Sequence, residues 1–212
     1  MNRKTRINEA GRTMIETIGY IMVMITLTVT VAMAVNSGYH KYECSVIQQQ
    51  LVDLKKVIMQ RYAADGQYFN VKWDDLCAAK AGPRTLMPSR ICEENDKGEE
   101  ECRCAFQKGM HQFDGPVQIG PADCKDGEDY CETFFISFDE LPADVCAQLA
   151  LKAWDVTEGS DLERMDVNGK MWGWGFSPIV KVEGGKPLPA VVKDVSEQCQ
   201  EGYVNKITWY YN

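Results

Sequence analysis

The sequence predicts an α+β protein: one long N-terminal helix, apolar in its first half, packed by its second half on an antiparallel β-sheet head stapled by disulfides. Three observations predict it. Residues 18–35 carry no charged side chain. Beyond them, Ile47, Leu51, Leu54, Ile58 and Tyr62 recur at spacings of four, three, four and four, which draws one stripe along a helix. Past residue 64, short aromatic and β-branched segments alternate with turn residues, and eight of the nine cysteines fall between 77 and 199.

The apolar run comes first. Its only polar side chains are Thr26, Thr28, Thr30 and the weakly polar Tyr20. Eighteen residues at 1.5 Å each give roughly 27 Å of helix, close to the hydrocarbon thickness of a bilayer. A threonine hydroxyl is tolerable there because it bonds back to a carbonyl one turn earlier. Arg3, Lys4, Arg6 and Arg12 precede the run, while Lys41 is balanced by Glu43 after it. The positive-inside rule then places the N-terminus in the cytoplasm and the rest outside. A cleavable secretory signal would need a shorter apolar core with a small-residue cleavage site. A plain signal anchor fits length and charge.

What a plain anchor leaves unexplained is Glu16 at the entrance of the run. A carboxylate within a membrane segment is costly and marks a functional hypothesis with a partner to be named. One partner is Arg12, at i,i+4 on the same helix, in the less favourable order of signs. The stretch that carries the second is "GRTMIE", Gly11–Glu16, followed by the apolar run and preceded by the basic residues 1–11. It resembles the class III signal of type IV pilins and type II secretion pseudopilins.

The resemblance implies the following. A prepilin peptidase on the cytoplasmic face cuts after Gly11, Arg12 becomes residue one, and Glu16 falls at the fifth position of the mature chain. The new amine, commonly N-methylated in the family, belongs to a neighbouring subunit and is the partner of Glu16. The chain is then a structural filament subunit rather than an enzyme. Its partners are further copies of itself, the peptidase, the pilus assembly or secretion machinery and membrane lipids. It starts as a single-pass protein of the inner membrane and ends in a surface filament. In the family position one is commonly aromatic or Met, and many members carry a proline within this helix; here position one is Arg12 and the first proline of the chain is Pro83. The alternative reading is an anchored extracytoplasmic binding or adhesion domain that never polymerises.

Domain boundaries follow: a leader over 1–11, a transmembrane and assembly helix over 12–36, its amphipathic continuation over 37–63, and a head over 64–212 with a Cys-rich loop at 77–131. The helix as a whole spans about residues 13–63 and ends before Asp65-Gly66, with Asn36-Ser37-Gly38 as its weak point, since glycine costs about 1 kcal/mol in a helix.

In the head, a short helix is expected over 73–80, with Asn70 as its cap. Gly82-Pro83, Pro88 and the acidic run 93–101 suggest a long crossing loop held by cysteines. "ETFFISF", 132–138, is a strand. "LPADVCAQLALKAW", 141–154, is a helix with Pro142 in its first turn. "RMDVNGKMWGW", 164–174, is a hairpin about Asn168-Gly169. A strand at 177–185, a helix at 189–199 and a closing strand at 203–211 complete an α+β head.

Net charge is −8, and residues 1–11 hold +2 of it, so the remainder carries −10. An acidic body argues against broad nucleic-acid binding. Connectivity of the cysteines does not follow from sequence. The pilin resemblance implies a disulfide closing the C-terminal region, for which Cys146–Cys199 is the first candidate, and Cys124–Cys131 would close a small loop. Cys77, Cys92, Cys102 and Cys104 share two further bonds in an open order, and Cys44 on the long helix is the odd thiol. Cys102, Cys104 and His111 lack the spacing of a common zinc module, and "DCKDGED", 123–129, lacks the alternating ligands of an EF-hand. No metal or cofactor is therefore expected. Trp172, Trp174 and Phe176 read as strand packing in preference to an adhesive surface. Neither His40 nor His111 sits in a serine–acid pattern, and no phosphate loop is present.

Overall fold

A computed structural model describes residues 3–62, 67–94, 100–106, 108–125, 130–152, 154, 161–173, 186–188 and 190–212. The chain divides into two compact units, Met1–Tyr42 and Glu43–Asn212. Helix α1 (Arg3–Tyr62) contributes to both. It begins ten residues before the expected start at 13, because residues 3–10 contain no proline or glycine and Gly11 alone is too weak a breaker.

The second unit is built on the stripe. Ile47, Leu51, Leu54 and Ile58 are wholly buried and Tyr62 nearly so. Each side chain of this kind contributes about 1.5–3 kcal/mol by leaving water. Their partners are the inward residues of a seven-stranded sheet: Phe134, Ile136 and Phe138 of β5 (Cys131–Pro142), Ile207, Trp209 and Tyr211 of β9 (Tyr203–Tyr211), and Leu162, Met165 and Val167 of β6 (Leu162–Val167). Alternation along each strand is what two-residue periodicity dictates for a sheet with one buried face.

The remaining strands are β3 (Gly109–Met110), β4 (Pro116–Cys124), β7 (Lys170–Gly173) and β8 (Lys186–Pro187), in the spatial order β3-β4-β5-β9-β6-β7-β8. All pairings are antiparallel except β7 with β8, a two-residue parallel contact at one edge that qualifies the all-antiparallel expectation. The β6–β7 turn is Asn168-Gly169, both at positive φ (51° and 83°), as a two-residue hairpin of right-handed twist requires.

The Cys-rich loop expected over 77–131 is corrected. It holds a separate hairpin of β1 (Arg90–Glu94) and β2 (Glu100–Cys104), together with β3 and β4. Cys92 and Cys102 are directly opposite in that hairpin and are disulfide-bonded, which supports a pair of strands too polar to hold alone. Helix α2 (Trp73–Ala78) is capped by Lys72 with no side-chain bond; Asn70 instead offers its carbonyl to the Tyr62 hydroxyl at 3.0 Å. Trp73 Nε1 donates to the Val117 carbonyl at 3.1 Å, and Asp74 accepts from the Cys104 amide at 3.0 Å. Helix α3 (Ala143–Leu151) is shorter than expected: Pro142 ends β5 opposite Tyr203 and caps the helix, and Lys152 is already extended. Helix α4 (Val192–Gln198) occupies the core of the segment expected at 189–199. The strand expected at 177–185, Trp174, Phe176 and Asp65-Gly66 lie outside the described residues. Trp172 is fully buried on the inner face of the sheet.

Candidate assembly segment

Among the described residues, α1 is the helix long and apolar enough to cross a membrane. Every described side chain from Met14 to Tyr39 is exposed, and the first buried ones are Glu43 and Cys44. Met14 and Tyr20 are 67% and 74% exposed, and Ile21, Val23, Ile25, Leu27, Val31 and Val35 all lie above half. A soluble monomer rarely leaves a contiguous apolar patch beyond a few hundred Å², so this surface suits lipid or an apolar partner.

The threonines do not interrupt it. Thr28 Oγ1 donates to the Met24 carbonyl at 2.8 Å, Thr30 to Leu27 at 2.9 Å, and Thr26 to Val23 at 2.9 Å. Each hydroxyl is satisfied within its own helix, so the surface offered outward is apolar all round. The three Ile, four Val and one Leu between 18 and 35 favour a bilayer centre by about 0.3–0.6 kcal/mol each, or about 2–5 kcal/mol together. Glu16 is exposed at the start of this surface. Gly11, Arg12 and Glu16 all fall within α1, and Arg12 and Glu16 are one turn apart.

The cysteines resolve into four bonds: Cys77–Cys104, Cys92–Cys102, Cys124–Cys131 and Cys146–Cys199. The first ties α2 to β2, and the last ties α3 to the segment before β9. Cys102 and Cys104, weighed with His111 as a zinc set, are both consumed. Cys44 is a free, buried thiol at 3.5 Å from Gln48 Nε2, and burial pushes its pKa up, which keeps it protonated and unreactive.

Two polar centres in the head were invisible to sequence reasoning. Asn205 is fully buried and makes four hydrogen bonds, and His111 is 3% exposed with both ring nitrogens bonded. Neither sits in a motif, because their partners lie 2–64 positions away. The outer face of the sheet carries a third cluster. Arg164 pairs with Asp123 at 2.8 Å and lies 4.1 Å over the Tyr210 ring.

No protein-family model and no curated protein sequence matches the chain. Among solved structures it is similar to the type IV b pilin from Salmonella typhi, at 14% identity over 66% of this chain and 77% of that one, with a TM-score of 0.39.

Proposed function

We propose that this chain is a structural subunit of a type IV pilus or secretion pseudopilus. It is inserted as a membrane prepilin, cut between Gly11 and Arg12, and polymerised through the apolar half of α1. The observation that carries the reading is the exposed apolar surface beginning at Met14, with Glu16 at its entrance and Gly11-Arg12 five and four residues earlier.

Cleavage creates an amine with an ordinary pKa near 7.7–8.0 and therefore largely cationic in a neutral cell. In lipid, the Glu16 carboxylate of an adjacent copy and this amine relieve each other's desolvation, which sets the axial register between copies. The helix moves from lipid to a filament core of similar polarity. Packing and register, rather than escape from water, then drive assembly. The prepilin peptidase, the assembly or secretion machinery, lipids and further copies of the chain are its partners.

Arg12 favours the rival reading of an anchored binding domain, since it offers Glu16 a cation on its own helix. Two variants separate them. Under the filament reading, Gly11→Ala leaves full-length protein in the membrane, and Glu16→Ala inserts normally but yields few or short filaments by electron microscopy of sheared cells. Filaments of normal length from Glu16→Ala contradict the register mechanism.

A further inference from the structure

The turn between β3 and β4 is closed by the His111 amide on the Gly115 carbonyl (3.0 Å) and the Asp114 amide on the His111 carbonyl (3.0 Å). Its ring reaches across to β5. Nδ1 lies 3.2 Å from the Phe113 amide, which can only donate, so Nδ1 accepts. The proton of the neutral ring is therefore on Nε2, which donates to the Asp139 carbonyl at 2.6 Å. Asp139 and Glu140 form a bulge, with Glu140 at φ 59° and a register shift between Phe138 and Leu141. Gly115 closes over this contact: a Cβ there would overlap both the Asp139 carbonyl oxygen and Nε2.

We propose that His111 is an acid-released latch holding the β3–β4 turn to the β5 bulge. A second proton can go only to Nδ1. That turns the Phe113 contact into two facing donors, and the ring cannot keep both of its bonds. Once the ring swings out, the turn loses its side-chain tie to β5, and β3 is left with its two-residue pairing with Val117 and Pro116 and the backbone bonds of the turn.

The surrounding charges decide how acid the release must be. Burial holds His111 below the ordinary histidine range, against the pull of the Asp139 carbonyl bond and of the Glu140, Asp139 and Asp114 carboxylates. The Asp139 carboxylate is itself engaged by Lys206 of β9 at 3.3 Å and by Gln118 of β4 at 3.2 Å. Lys206 thus reaches the latch through Asp139, and Gln118 adds a neutral hydrogen bond to the same carboxylate.

The chain has two histidines, so the test is direct. Full-length protein in detergent, labelled at histidine, is titrated by NMR while amide exchange is followed. The expected result is an Nε2–H tautomer for His111 at neutral pH, titrating below the usual histidine value. The Phe113 amide protection factor falls at least tenfold as it does so. His111→Gln keeps a donor for the Asp139 carbonyl and cannot titrate, so Phe113 protection stays flat over the same range. An Nδ1–H tautomer, or Phe113 protection that ignores the titration of His111, overturns the latch. So does the same pH profile in His111→Gln.

Discussion

Replacing Asn205 by alanine removes a fully buried side chain that makes four hydrogen bonds. Its Nδ2 donates to the Leu141 and Gln200 carbonyls, both at 2.9 Å. Its Oδ1 accepts from the Gln200 amide at 2.7 Å and from Asn168 Nδ2 at 2.9 Å. One amide thereby joins β9, the end of β5, the α4–β9 connection and the β6–β7 turn. The losses are unequal. Gln200 is exposed, so its backbone groups regain water. Asn168 Nδ2 keeps the Gln198 carbonyl at 2.7 Å. The Leu141 carbonyl belongs to a fully buried residue and is left without this donor, which costs about 1–3 kcal/mol. The cavity left by the carboxamide adds about 1 kcal/mol. The total is about 2–4 kcal/mol, or roughly 5–15 °C in Tm for a head of this size. Urea and thermal unfolding of the oxidised full chain measure it. Asn205→Asp aims a carboxylate at two carbonyls and is expected to destabilise at least as much at neutral pH. It should recover as acid protonates the introduced carboxyl. A loss below 0.5 kcal/mol for Asn205→Ala, or no pH dependence for Asn205→Asp, refutes the hub.

Other perturbations have equally definite outcomes. Cys146→Ser with Cys199→Ser opens a 53-residue loop, and chain entropy sets the loss at about 4 kcal/mol, read as a lower urea midpoint without reductant. Gly115→Ala forces a methyl against the Asp139 carbonyl and is expected to cost about 1–3 kcal/mol by thermal unfolding. The Tyr62 hydroxyl lies 3.0 Å from both the Asn70 carbonyl and an Asp75 carboxylate oxygen and shares its one proton between them, and burial raises its phenol to about 12. The unfolded chain releases this proton first, near pH 10, so native stability falls as pH rises from 10 towards 12. Tyr62→Phe should show a shallower alkaline loss.

Much of the fold was legible because the decisive patterns are local. The α1 stripe has a helical period, β5 and β9 are dense in Phe, Ile, Trp and Tyr, and Asn168-Gly169 has few conformations open to it. β1, β2 and β4 were missed for the converse reason. "RICEE", "EECRC" and "PVQIGPADC" are charged or rich in Pro and Gly, and they become strands through partners elsewhere. β4 is held by the register that matches Val117 with Phe138 and Ile119 with Ile136, and β1 by the Cys92–Cys102 bond. The spacing of Cys92 and Cys102 around Asn95-Asp96-Lys97-Gly98 was the available hint of a hairpin. The Asn70 cap failed because Tyr62 claims that residue's carbonyl and the helix starts three residues later, at Trp73. Of the assembly segment, the apolar run and the place of Glu16 were readable from sequence. That the threonine hydroxyls fold back into the helix follows from the carbonyls one turn earlier, which Thr26, Thr28 and Thr30 reach. His111 and Asn205 had no signal at all, since a lone His or Asn acquires meaning only from the carbonyls that the fold brings to it.

The proposed pairing of Glu16 with a neighbour's new amine requires that the amine exist. Intact mass and N-terminal sequencing of the protein recovered from its native membrane and from sheared surface filaments therefore bear on it most directly. Chains in the filament fraction are expected to begin at Arg12, in step with an active prepilin peptidase. Filament-free cells whose protein retains Met1 and the residues up to Gly11 would contradict it.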